Sequence, residues 1–158
     1  MSPAALSVAV VGPGAIGLTA LTALLDRGHD VVVCARSPFD RVRYRGPDGE
    51  RTHEVRVLTD PASVSGPVDL VVVATKAHQV DGAAGWLGPL AGDHSVVAVL
   101  QNGIEHRQRV APYVGRAAVA PAVVNLPAER EAPGEVVVEA RSSLTVPDDE
   151  AGRIVAEA

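Results

Sequence analysis

The sequence is poor in cysteine, and this shortage excludes two kinds of protein. Cys34 is the single cysteine among 158 residues, so the chain can form neither an internal disulfide nor a zinc site built from several cysteines. Cys34 also lies within an apolar, β-branched run. We therefore expect a buried and unreactive thiol rather than a nucleophile, and we predict no metal site.

An excess of positive charge is also absent. Lysine and arginine number 14 against 19 aspartates and glutamates, a formal net charge of −5, which argues against nucleic acid and anionic membranes as partners. No stretch approaches the roughly 20 apolar residues of a membrane-spanning helix. The N-terminus lacks the basic segment that opens a signal peptide. We expect a cytoplasmic protein.

The chain has the composition of a globular protein, with 47% hydrophobic and 21% charged residues, and is long enough for one domain with a core. Its most informative segment is residues 7–36. Ser7–Val11 is typical of a buried strand, and apolar residues spaced for one helical face follow from Ile16. Gly28 suits the end of that helix, and Asp30–Ala35 indicates a second strand.

Between the first strand and the helix stands the pattern G-x-G-x-x-G. In this position it predicts a turn that binds a dinucleotide. Gly12 permits a tight turn, Gly14 lets the backbone approach a pyrophosphate, and Gly17 lets the helix lie close to the strand. Unpaired amides at the start of the helix would bind the phosphates. The predicted contacts are Gly12, Pro13, Gly14, Ala15, Ile16 and Gly17.

The end of the second strand indicates which dinucleotide is bound. Proteins that bind NAD usually have a carboxylate there, which accepts a hydrogen bond from the ribose 2′-hydroxyl. Here the strand runs into Arg36 and Ser37, and a guanidinium can bind a 2′-phosphate through two hydrogen bonds. We predict NADP(H), with Arg36 as the main ligand and Ser37 as a second. The alternative is a solvated Arg36, with Asp40 folding back toward the ribose.

The rest of the chain predicts further strands and helices in alternation. Residues 69–75, 95–100 and 117–124 are apolar runs typical of strands, with helical segments at 79–90 and 104–113. Residues 42–60 indicate a β-hairpin or a pair of short strands around a turn cluster. Shorter extended pieces at 136–138 and 143–146 precede a helix that begins near Pro147. This alternation predicts a Rossmann-like, doubly wound α/β fold, with a mainly parallel sheet and helices on both faces.

Polar residues follow two of the predicted strands. Lys76 and Gln79 come after residues 69–75, and Asn102 with Gly103 comes after residues 95–100. Ligands of such sheets lie beyond the carboxyl ends of the strands. These residues are therefore candidates for contacts with the cofactor, although Lys76 could be a solvated lysine and Asn102-Gly103 a plain turn.

Together these motifs resemble the ketopantoate reductase family. The resemblance is carried by Gly12–Gly17, Arg36, Thr75–Val80 and Gln101–Ile104, and by the later segments Ala132–Val136 and Ser143–Val146. It implies that residues 1–158 form an NADP(H)-binding Rossmann domain, in which about 130–158 are a terminal strand pair and the start of an interdomain helix. The chain departs from the family at Ala120-Pro121, where glycine is common.

The resemblance also implies an activity and roles for residues. Family members reduce 2-dehydropantoate, a small 2-oxo acid, to pantoate with NADPH, in the biosynthesis of pantothenate and coenzyme A. Lys76 matches a lysine near cofactor and substrate, Gln79 a cofactor contact, and Asn102 a residue beside the nicotinamide ribose and the substrate. The proton-donor lysine belongs to a helical domain that follows in the family and that these 158 residues do not match.

We therefore assign no catalytic residue from the sequence, and we expect this chain alone to bind cofactor with little turnover. An apolar surface near the last helix would favour self-association, for example as a homodimer. Two alternatives stay open at this point. The chain could be a non-catalytic module that senses NADP(H), or part of a related dehydrogenase for another 2-oxo or 3-hydroxy acid.

Overall fold

A computed structural model describes residues 4–76, 79–101 and 105–158. Within these ranges lie eleven strands, four α-helices and two short 3-10 turns, at Pro61–Ser63 and Ala111–Tyr113. The strands are β1 (Ser7–Val11), β2 (Asp30–Cys34), β3 (Arg41–Gly46), β4 (Gly49–Glu54), β5 (Arg56–Leu58), β6 (Val68–Val73), β7 (Ala91–Leu100), β8 (Ala118–Asn125), β9 (Ala128–Ala132), β10 (Glu135–Val138) and β11 (Ser143–Thr145). The helices are α1 (Ala15–Asp26), α2 (Val80–Leu90), α3 (His106–Val110) and α4 (Glu150–Glu157).

Seven strands form the main sheet, in the order β11-β8-β7-β6-β1-β2-β5. All neighbours run parallel except β11, which is antiparallel to β8. At the centre of the sheet Val10 pairs with Val33 on one side and Val72 on the other, and all three side chains are buried. This mainly parallel α/β sheet confirms the predicted fold class. Its central strands are unbroken apolar runs because helices cover both faces.

The helices divide between the two faces. Helices α1 and α4 pack on one face, where Leu18, Leu21 and Ala151 join the buried residues of the strands. Helix α2 covers the other face with Trp86 and Leu87, and Val110 of α3 belongs to the same cluster. Each helix therefore buries apolar residues against the main sheet, which is the usual source of stability for such short helices.

A second sheet of four strands, in the order β4-β3-β10-β9, lies against the outer side of α1. Val42 and Tyr44 of β3 alternate with exposed residues, Val136 and Val138 of β10 alternate with half-buried ones, and all four join the same core cluster as α1. Helix α1 is thus enclosed between two sheets. This enclosure explains why its sequence, AIGLTALTALLD, is apolar on nearly every side.

The second sheet was not predicted from the sequence, although the hairpin that starts it was. The pattern of residues 42–60 predicts a hairpin or a pair of short strands; β3 and β4 form a hairpin, and Arg56–Leu58 leaves to join the main sheet beside β2. The last two strands, predicted as a pair, lie in different sheets: β10 pairs with β3 and β9, and β11 pairs with β8. Alternating apolar residues indicate a strand but not its neighbour.

No helix in residues 4–76, 79–101 and 105–158 has both the length and the apolar character that crossing a bilayer requires. No group of three or more histidine, cysteine, aspartate or glutamate side chains in these ranges is placed to hold a metal ion.

Candidate functional site

A cleft of about 700 Å³ lies over the carboxyl ends of β1, β2 and β6. The sheet order changes direction here, since β1 is flanked by β2 on one side and β6 on the other. Ligands of doubly wound sheets bind at such a point. The cleft brings together seven residues named from the sequence, namely Gly12, Pro13, Gly14, Arg36, Ser37, Lys76 and Gln79.

The glycine turn is built around two close contacts and one open position. Gly12 has a φ of +92°, and a Cβ there would lie 2.7 Å from Thr75 Cγ2. A Cβ on Gly17 would overlap the carbonyl oxygen of Gly12, because α1 starts directly against the turn. A Cβ on Gly14 meets no described atom within 4 Å. The turn therefore needs Gly12 and Gly17 for its own packing and leaves free space at Gly14.

Helix α1 begins at the edge of the cleft with free amides. The first hydrogen bond of the helix runs from the Leu18 N–H to the Gly14 carbonyl, at 2.8 Å. The amides of Ala15, Ile16 and Gly17 precede that bond, and with the helix dipole they favour an anion. These three residues stand in the first turn of α1 and do not line the cleft themselves.

The far end of the cleft is formed by the loop after β2. Arg36 and Ser37 are exposed there, and Phe39 is half-buried beside them. Asp40, the alternative ligand for a ribose, does not line the cleft. Its carboxylate instead lies 3.3 Å from Arg41 Nε, so this end of the cleft is cationic.

The opposite wall carries Lys76 and Gln79, both exposed, with the Gln79 N–H donating to the Lys76 carbonyl at 2.8 Å. Behind them, the buried Gln101 Nε2 donates to the Thr75 carbonyl at 2.7 Å and to Thr75 Oγ1 at 3.1 Å. Since Thr75 also packs against Gly12, this amide joins the ends of β7, β6 and β1. Asn102 lies outside the described residues, so its predicted role stays a prediction.

Comparison with known proteins decides the family. The family model for ketopantoate reductase PanE/ApbA matches residues 8–150. The chain belongs to the ketopantoate reductase family. The resemblance found in the sequence motifs is thereby confirmed.

Relatives within the ketopantoate reductase family agree over most of the chain. It is 42% identical to 2-dehydropantoate 2-reductase of Caulobacter vibrioides over 95% of its own length and 52% of that protein. The identity with the enzyme so named in Mycobacterium tuberculosis is 39%, over 90% and 49% of the two chains. A solved structure of a PanE/ApbA family ketopantoate reductase from Ralstonia eutropha matches with a TM-score of 0.83 at 28% identity, covering 96% of this chain and 53% of that one. The chain spans about half the length of these relatives.

Several residues at this cleft were missed in the sequence. They are Phe39, Ala83 and Trp86, and Arg130 from the hairpin of β9 and β10; Thr75 and Pro133 stood in quoted motifs but were given no role. Ala83 and Trp86 sit at the spacing of a buried helical face, which gives no sign that they also border a cleft. Arg130 and Pro133 reach it through the unpredicted second sheet. Gln101 was part of a quoted motif but was given no role.

Cys34 lies at the end of β2 and is 1% exposed. Burial raises the pKa of its thiol from 9.0 to about 12, so the reactive thiolate is scarce at neutral pH. We expect less than about a tenth of Cys34 to react with a disulfide reagent such as DTNB at pH 8 while the same reagent labels the denatured chain completely. Rapid labelling of the folded chain would show that this site opens.

Proposed function

We propose that this chain is the NADP(H)-binding part of a reductase that converts 2-dehydropantoate to pantoate. The observation that supports this most is that the glycine turn and Arg36 line one cleft, at the point where the strand order of the sheet changes direction. When bound, NADPH would supply the hydride for reduction of the ketone. The substrate class is proposed from the similarity to relatives named 2-dehydropantoate 2-reductase.

Each side of the cleft would hold a different part of the cofactor. The amides of Ala15, Ile16 and Gly17 would bind the pyrophosphate, which approaches through the free space at Gly14. Arg36, with Ser37, would bind the 2′-phosphate at the cationic end. A guanidinium suits this task because two parallel N–H groups match two phosphate oxygens.

The opposite wall would orient the nicotinamide half. Lys76 offers a positive charge and Gln79 an amide, which can donate and accept hydrogen bonds. Both residues follow β6, whose end is fixed by the bonds from Gln101 to Thr75. By the family resemblance Asn102 would stand near the nicotinamide ribose, and the proton-donor lysine would come from the helical domain. We assign neither proton transfer nor hydride transfer to the residues described.

Trp86 offers a direct test of cofactor binding. It is the single tryptophan of the chain and forms part of the cleft wall, so its emission should pass to the reduced nicotinamide of a nearby NADPH. We expect quenching of Trp86 and sensitised NADPH emission that saturate together. At about 100 times Kd the ligand would stabilise the fold by about 2.7 kcal/mol, a rise in Tm of about 5–10 °C.

Gly14→Ala is the matched variant for this test. Its methyl group would enter the free space beside the turn, so we expect Tm to change by less than about 4 °C and NADPH affinity to fall about tenfold or more. Equal affinity in wild type and variant would argue against a pyrophosphate at Gly14. No quenching and no rise in Tm for the wild type would refute the proposed function.

A further inference from the structure

We propose that Arg130 is a second cation for the 2′-phosphate and acts together with Arg36 in the choice of nucleotide. This inference rests on the proposed function and deepens it. Arg130 comes from β9 in the second sheet, whereas Arg36 follows β2 in the main sheet, and both line the same cleft. The two arginines therefore approach the cationic end of the cleft from different sheets.

The hairpin that carries Arg130 is fixed against the loop that carries Arg36. At the hairpin turn Gly134 has a φ of +77°, and a Cβ there would lie 2.9 Å from Phe39 Cδ2 and would overlap the Arg41 carbonyl oxygen. The Gly134 carbonyl also accepts from the Arg43 N–H at 2.7 Å. Phe39 stands three residues after Arg36. The position of Arg130 relative to the Arg36 loop is thus set by close packing of the two backbones.

The charges of the neighbouring arginines are already compensated. Arg43 lies 3.7 Å from Glu135, Arg45 2.5 Å from Glu131, and Arg51 2.6 Å from Asp26. Within the described ranges neither Arg36 nor Arg130 lies within 4 Å of a carboxylate, and the Arg130 side chain makes one bond, from Nε to the Ala132 carbonyl at 3.4 Å.

Two uncompensated guanidinium groups in one cleft create a local potential that favours an anion. A phosphomonoester carries about −1.5 to −2 charges at pH 7 and offers three acceptor oxygens, so it can accept from two guanidinium groups at once. A ribose 2′-hydroxyl carries no charge and gains little from the second arginine. The pair would therefore discriminate NADP(H) from NAD(H) more strongly than Arg36 alone.

The test compares Arg130→Gln with Arg141→Gln, a control that removes the charge of an exposed arginine outside the cleft. Dissociation constants for NADPH and NADH are measured by Trp86 quenching at one fixed salt concentration. We expect Arg130→Gln to weaken NADPH about tenfold and NADH less than about twofold, with the control unchanged for both. Arg130→Lys keeps the charge but loses the paired N–H groups. Its affinity for NADPH should therefore lie between that of the wild type and that of Arg130→Gln.

Adenosine 2′,5′-bisphosphate and 5′-AMP serve as probes of the phosphate alone, and Arg130→Gln should weaken only the first. Equal losses of affinity for NADPH and NADH would overturn the inference and would indicate that Arg130 contacts the adenine. Unchanged affinities for both NADPH and NADH in Arg130→Gln would overturn it and leave the proposed function intact. If the wild type bound neither nucleotide, both proposals would fall.

Discussion

Gly17→Ala is expected to lower Tm by roughly 2–8 °C. The added methyl group would overlap the carbonyl oxygen of Gly12 and come within 3.3 Å of Ala74 Cβ. Neither neighbour is free to move, because the Gly12 N–H donates to the Cys34 carbonyl at 3.2 Å and the Ala74 N–H to the Val11 carbonyl at 2.9 Å. Overpacking of this kind costs about 1–3 kcal/mol, and the better helix propensity of alanine offsets at most about 1 kcal/mol.

Gly85→Ala is the matched control for this prediction. Gly85 also lies inside a helix, α2, but a Cβ there would make an ordinary contact of 3.5 Å with Pro61 Cγ. We expect Tm to stay constant or to rise by a few degrees, because alanine is favoured over glycine in a helix by about 1 kcal/mol. Thermal unfolding followed by circular dichroism measures both variants. Similar Tm values for both would contradict the close approach of α1 to the turn.

Arg36→Asp should have the largest effect on nucleotide choice. We expect NADPH binding to weaken about 100-fold and NADH binding to change less than about threefold. The substitution would remove the proposed charge-assisted pair of hydrogen bonds and would place a carboxylate near the 2′-phosphate. The same carboxylate can accept from a free 2′-hydroxyl, which is how NAD-binding proteins of this fold hold the ribose.

The control is Arg141→Asp, which makes the same change of charge at an exposed position outside the cleft. Calorimetric titration with both nucleotides would separate a local effect from a general loss of positive charge. We expect Arg141→Asp to bind both nucleotides as the wild type does. Equal losses for NADPH and NADH in Arg36→Asp would show that Arg36 serves the fold or the adenine instead of the phosphate.

The elements that could be predicted from the sequence are those whose signals are local. The unit from β1 through α1 to β2 follows from a buried run, a glycine pattern and a helical periodicity that are contiguous in the chain. The pairing of β10 with β3 joins segments about 90 residues apart. The sequence of neither segment indicates that it pairs with the other. The alternation of residues in a strand shows which side chains face a core, but long-range contacts determine which strand it pairs with.

The same difference applies to the candidate site. Gly12, Gly14, Arg36 and Lys76 follow strands directly, so their places at the edge of the sheet could be predicted from the order of elements. Arg130 reaches the cleft only because β9 belongs to a sheet that packs outside α1. In the sequence its segment looks like an ordinary charged turn. Arg130 stands out only in the structure, where, among the residues described, the neighbouring arginines pair with carboxylates and Arg130 does not.

The burial of α1 between two layers has a consequence for how an anion would be received. A helix that packs against a sheet on one side only can slide along that sheet, and its terminal amides then shift with it. Here movement of the helix is opposed from two directions, so the donors at its start are held in place before any ligand arrives. Binding would then spend little free energy on reorganising the protein.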